Sequence, residues 1–151
     1  MKATFGMGCF WCSEDVFTKA KGVRATAVGY MGGNVDNPTY EQVCTDRTGH
    51  AEVVQVDYDP ETVSYDELLK IFFANHDPTT PNRQGPDVGT QYRSAVFFHT
   101  RDQESAAKQT IERLQPIIEK KIVTDVAPAS TFWKAEDYHQ KYYVKCGLKM
   151  H

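Results

Sequence analysis

Apolar and polar residues alternate most cleanly between Ala51 and Tyr58. Glu52, Val54, Val56 and Tyr58 fall on one side there, and Ala51, Val53, Gln55 and Asp57 on the other. A period of two predicts a strand. Shorter apolar segments predict strands over residues 3–9, over 23–30 ahead of Gly32 and Gly33, and over 94–98. Helical spacing links Cys12, Val16 and Ala20, with Gly22 as the stop. Ser64 and Glu67 predict a capping box in front of a stripe made by Tyr65, Leu68, Leu69 and Phe72. Thr100 and Gln103 predict a further cap, for a helix whose stripe is Ala107, Ile111, Leu114 and Ile118 and which Pro116 should kink or end. A last strand over 122–127 and a last helix over 135–144 complete the pattern. Between them, residues 77–91 carry Pro78, Pro81, Gly85, Pro86 and Gly89, and a loop this long is more often functional than idle.

The order strand-helix-strand, given twice, is a split βαβ pattern. It predicts an α+β fold, a two-layer sandwich of the ferredoxin-like plait kind with an additional C-terminal helix, as one domain over residues 1–151. A chain of 151 residues can bury about 70% of its unfolded surface without a staple. The net charge of −3 lacks the clustered basic face that nucleic acid requires. No apolar run is long enough to span a membrane. The first residues run straight into a strand pattern, which leaves no signal peptide and predicts a cytoplasmic protein. In that setting four cysteines read as chemistry rather than as a disulfide scaffold.

Cys9 falls where a strand ends and a helix begins. Unpaired N–H groups and the helix dipole lower a thiol's pKa at such a place, which suits a nucleophile, although a small buried hydrophobe is the alternative. The spacing Cys9-x-x-Cys12 fits a dithiol, or half of a zinc site that Cys44, His50, His139 and Cys146 could complete only through tertiary structure. Glu52 lies on the apolar side of its strand, where desolvation raises a carboxyl pKa and lets it donate a proton; a frayed strand end reaching solvent is the alternative. Tyr40 follows a turn-like segment and Tyr92 closes the long proline-rich loop; their hydroxyls could donate to a substrate oxygen, although an amphipathic residue at the surface or core edge is the alternative for each. The histidines show no ligand spacing, and the last helix, with Glu136, His139 and Gln140, reads as a solvated face.

Taken together, Gly8-Cys9-Phe10-Trp11, Gly29-Tyr30 with Gly32-Gly33, Asn37-Pro38-Thr39-Tyr40 and Thr48-Gly49-His50-Ala51-Glu52-Val53 resemble the A-type peptide methionine sulfoxide reductases. The resemblance continues in order through Asp87-Val88-Gly89-Thr90-Gln91-Tyr92-Arg93-Ser94, Phe132-Trp133 and Ala135-Glu136-Asp137-Tyr138-His139-Gln140. It implies an α/β two-layer plait that reduces the S epimer of methionine sulfoxide, free or in proteins, with no bound cofactor and with thioredoxin or another dithiol as reductant. Cys9 matches the nucleophile, Glu52 the acid, and Tyr40 and Tyr92 the phenols that hold the sulfoxide oxygen. Phe10 and Trp11 match the pocket for the substrate methyl group, and Asp87 its polar edge. The chain departs from the common pattern at Cys12, where a glycine is more familiar, and after Cys146, where the family's glycine-rich tail is lacking. The resolving cysteine is therefore open: Cys146, near a chain end that could reach Cys9, is expected ahead of Cys12, which shares the stripe of Val16 and Ala20, with Cys44 well behind and direct reduction by an external thiol as a further alternative.

Overall fold

The structure, a computed structural model, describes residues 1–136, 139 and 140, with the side chain of Phe10 outside the described part. Strand β1 (Lys2–Met7) leads through Gly8 and Cys9 into helix α1 (Phe10–Thr18), which returns as strand β2 (Val23–Met31). A short helix α2 (Tyr40–Cys44) precedes strand β3 (Ala51–Tyr58), and helix α3 (Tyr65–Ala74) follows. The long loop holds a two-stranded hairpin, β4 (Arg83–Gln84) and β5 (Asp87–Val88), and a 3₁₀ turn over Thr90–Tyr92. Strand β6 (Ser94–Phe98), helix α4 (Arg101–Leu114) and strands β7 (Asp125–Pro128) and β8 (Trp133–Lys134) complete the described elements.

Among the described residues, six strands form one sheet in the order β7-β6-β1-β3-β2-β8. Every pairing is antiparallel except β6 with β7. Strand β3 inserts between β1 and β2, the two strands that flank α1. This is an α+β fold, as the element order predicts. Residues of alternate parity serve the two faces. Ala3, Phe5, Val28, Tyr30, Val54, Val56 and Val96 pack with Phe17, Leu68, Leu69, Phe72 and Ala107 of the helices. Met31, Ala51, Val53, Ala95 and Phe97 face the other way, under Ala127, Ala129 and Phe132.

Ser64 and Thr100 cap α3 and α4 as expected, accepting from the backbone N–H of Glu67 and Gln103, but at α3 only that half of the capping box forms, since Glu67 Oε1 accepts the Ser64 hydroxyl. Helix α4 stops at Leu114, before Pro116. Of the predicted stripe only Ala107 is buried, with Ile111, Leu114 and Ile118 half-buried; Gln103 and Thr110 are the other buried positions, and Gln103 is satisfied there by His99 N–H and Lys2 C=O. Helix α1 differs in the same way. Cys12, Val16 and Ala20 border a depression between α1 and α3, while Ser13, Glu14 and Phe17 are buried. Ser13 Oγ donates to Cys9 C=O at 3.0 Å and Thr26 Oγ1 donates to Glu14 at 2.8 Å, so the inward polar groups are satisfied. The strand expected from residue 122 begins at Asp125. The helix expected over 135–144 falls largely outside the described residues, and Ala135 itself extends the sheet edge, its N–H donating to Val28 C=O at 2.9 Å.

Gly33 sets the approach of β2 to the start of β3. A Cβ there would run into the backbone of Thr48 and His50, whose ring accepts the Gly33 N–H at 3.0 Å. Gly33→Ala is expected to lower stability by about 1–3 kcal/mol, the usual cost of overpacking against atoms that cannot yield. Urea denaturation checks this, and an unchanged midpoint refutes it.

Candidate active site

Glu52 sits opposite Tyr30 in the β2–β3 register, on the sheet face that the helices cover. It is 2% exposed, so the strand does not fray and the carboxyl does not reach bulk water. Cys9 is the N-cap of α1, turned there by Gly8 at φ 99°. Its sulfur accepts the Trp11 backbone N–H, as a helix N-terminus allows. The balance of forces nevertheless opposes the sequence expectation of a lowered pKa. A hydrogen bond with the Cys12 thiol, burial and the nearby Glu52 carboxyl together push the Cys9 thiol well above its ordinary range. Cys9 is therefore a thiol at rest. The N-cap and the third residue of a helix face each other, which is why Cys9-x-x-Cys12 brings its two sulfurs together.

Tyr40 is the first residue of α2, behind a complete Thr39–Gln42 capping box. Its phenol is hydrogen-bonded with the Cys44 thiol one turn later, and Cys44 is exposed. Burial, Cys44 and Glu52 raise the Tyr40 pKa. Tyr92 closes the 3₁₀ turn, with its pKa pushed up to about 12 by burial, then by Glu52, Cys44, Asp87 and Cys9. Both phenols are thus neutral donors at physiological pH. The groups that shift these values also define the cluster: Cys9, Tyr40, Tyr92 and Cys44 all feel Glu52, and Asp87 acts on Tyr92 from strand β5.

Trp11 follows on α1. Its indole N–H donates to His139 Nδ1 at 3.0 Å, and the His139 ring lies 4.5 Å from that of Tyr40. His139 is 1% exposed, and burial lowers its pKa, so the ring stays neutral and can accept. Glu136 accepts from Tyr30 Oη and from the Tyr40 N–H, and Gln140 bonds both the N–H and the C=O of Val28. The segment read as a solvated face is thus an inward clasp, because its polar groups meet partners about a hundred residues earlier in the chain. Helical periodicity carries no trace of such contacts. The sequence signal was the block from Ala135 to Gln140 itself.

Of the remaining sequence candidates, Phe10 opens α1, and Cys146 lies outside the described residues. Among the described residues, no cluster of His, Cys, Asp or Glu is arranged to hold a metal ion, and no helix is long and apolar enough to cross a membrane. Chemically, the cluster offers one thiol, one buried carboxyl and two neutral phenols.

Residues 1–150 match the family described as peptide methionine sulfoxide reductase. The peptide methionine sulfoxide reductase MsrA of Methanoculleus marisnigri is 60% identical over 148 residues, which is 97% of this chain and 90% of that protein. The reduced form of Mxr1 from Saccharomyces cerevisiae superposes with a TM-score of 0.94 at 37% identity, covering 100% of this chain and 88% of that one. Mxr1 in complex with Trx2 superposes at 0.67 with 28% identity, covering 94% and 84%. The chain belongs to the peptide methionine sulfoxide reductases of the MsrA type and is an oxidoreductase.

Proposed function

We propose that this site reduces the S epimer of methionine sulfoxide, free or in proteins, with Cys9 as nucleophile and Glu52 as acid. The observation that carries the reading is the grouping of the Cys9 thiol with a buried carboxyl and two neutral phenols at the end of one sheet. A sulfoxide oxygen is a strong acceptor and a poor leaving group. Tyr40 and Tyr92 donate hydrogen bonds to it, and Glu52 gives it a proton, which makes the sulfur electrophilic. Cys9 attacks the sulfur, and its own proton passes to the nearby Glu52 carboxylate left by that first transfer. The hydroxyl then passes from the methionine sulfur to the Cys9 sulfur as the new sulfur–sulfur bond breaks; methionine leaves as the thioether, its sulfur regaining an electron pair, and Cys9 is left as a sulfenic acid. The family resemblance supports Phe10 and Trp11 as the wall for the S-methyl group and Asp87 as its polar edge.

The second half of the cycle returns Cys9 to a thiol. Cys12 is the resolving residue: its thiol attacks the sulfenic sulfur, water leaves, and a Cys9–Cys12 disulfide forms. Support comes from the hydrogen bond between these two thiols and from the position of Cys12 on the depression between α1 and α3, where an external dithiol can reach it. Mxr1 has been seen in complex with Trx2, which supports a thioredoxin-class reductant here.

The test is methionine release from the two sulfoxide epimers, followed by mass spectrometry of the oxidised protein. Wild type and Cys146→Ser are expected to yield the Cys9–Cys12 disulfide after one turnover with the S epimer. Cys12→Ser is expected to accumulate sulfenic acid, trapped with dimedone. A Cys9–Cys146 disulfide in wild type moves the resolving role to Cys146, and equal turnover of the R epimer overturns the substrate assignment.

A further inference from the structure

We propose that Glu136 is the positioning residue for Tyr40, setting the phenol against Glu52 by tying helix α2 to strand β2. The inference rests on the reading that Tyr40 donates to the sulfoxide oxygen.

Helix α2 has five residues and cannot define its own placement, since so short a helix takes its stability from what it packs on. Its capping box satisfies Gln42 N–H and Thr39 N–H internally but leaves the N–H of Tyr40 to an outside partner. That partner is Glu136, whose Oε2 accepts from Tyr40 N–H at 3.1 Å. The other oxygen, Oε1, accepts from Tyr30 Oη at 3.1 Å. Tyr30 is fully buried and stands directly opposite Glu52 in the sheet. A single carboxylate therefore spans from the strand beside the acid to the residue that carries the phenol. These hydrogen bonds also help hold the Glu136 carboxyl below its ordinary pKa, so it is ionised and a strong acceptor at neutral pH.

The clasp is itself anchored. Gln140 grips β2 through the N–H and C=O of Val28 and closes on Ala135 C=O, fixing the backbone on the far side of Glu136. The His139 ring then packs against the Tyr40 ring at 4.5 Å. Direction of the phenol is set from two sides, by the carboxylate at its backbone and by the imidazole at its face.

A kinetic cycle over wild type, Glu136→Ala, Tyr40→Phe and the double variant tests this, with Glu136→Gln as the conservative control. Glu136→Ala is expected to lower kcat by about 10- to 100-fold with KM little changed, the scale of a misplaced group in a preorganised site. In the Tyr40→Phe background the same change is expected to cost almost nothing. Glu136→Gln is expected to recover most of the loss, since its amide oxygen accepts the Tyr40 N–H and its amide N–H₂ donates to Tyr30. If the two single effects multiply in the double variant, or if Gln is as poor as Ala, the positioning role is overturned. A Tyr40→Phe variant with wild-type kinetics instead removes the phenol from the reaction, and the inference with it. Should Glu136→Ala melt below the assay temperature, Tyr30→Phe replaces it. That change deletes one hydroxyl, and its loss of rate must likewise vanish in the Tyr40→Phe background.

Discussion

Cys9→Ser is expected to release no methionine in a single turnover, with or without an added dithiol. The scale is a loss of about 10⁶-fold, as when a serine hydrolase loses its nucleophile. Chemistry makes the loss sharper still here. The proposed reaction leaves the sulfoxide oxygen on the attacking atom, and sulfur accepts it as a sulfenic acid. A serine oxygen would have to become a hydroperoxide, which no group in the site favours. The variant should fold normally. Serine is a good N-cap, and the Cys9 carbonyl still receives Ser13 Oγ and Ser13 N–H at 3.0 and 3.2 Å. Methionine sulfoxide should remain at its initial concentration by chromatography while the far-ultraviolet spectrum matches wild type. Stoichiometric methionine from Cys9→Ser would sink the assignment of the nucleophile.

The places of Cys9 and Glu52, the proposed nucleophile and acid, were legible because local sequence defines each of them. Cys9 follows a strand and opens a helix, and Glu52 interrupts the apolar side of an alternating strand; position left a structural alternative open at each, and the family resemblance of the blocks around them is what singles them out. Strands β3 and β6 were legible to the residue because local pattern defines them as well. What stayed hidden depends on distant partners. Glu14 is polar at a helical position that the apolar stripe leaves outside, yet it is buried, because Thr26 meets it across the α1–β2 connection. Helix α2 is too short to show a period, and β8 is two residues held at a sheet edge. Glu136 and His139 look solvated within their own segment, and their partners Tyr30, Tyr40 and Trp11 lie 96 to 128 residues away. The titration of Cys9 was misread for a related reason. The helix N-terminus was visible in the sequence, whereas the Cys12 hydrogen bond, the burial and the approach of Glu52 are tertiary facts, and together they outweigh it.

Glu52→Gln is expected to slow methionine release by about 10²- to 10⁴-fold, the usual contribution of a positioned general acid. Substrate affinity should change little, because the amide keeps the size of the carboxyl and can still donate a hydrogen bond to the sulfoxide oxygen. What it cannot do is surrender a proton as the S–O bond weakens, so the loss belongs to the transition state and should fall on kcat and kcat/KM alike. The side chain is 2% exposed beside Tyr30, leaving no ready path for bulk water to act in its place. Replacing the carboxyl by a neutral amide also removes the buried group that could ionise, so the melting temperature should hold or rise. That separates loss of chemistry from loss of fold. Single-turnover kinetics on the S epimer, paired with a binding titration on Cys9→Ser carrying the same change, reads both quantities. A wild-type rate in Glu52→Gln removes Glu52 as the acid, and a large rise in the binding constant with an unchanged maximal rate makes it a binding group instead.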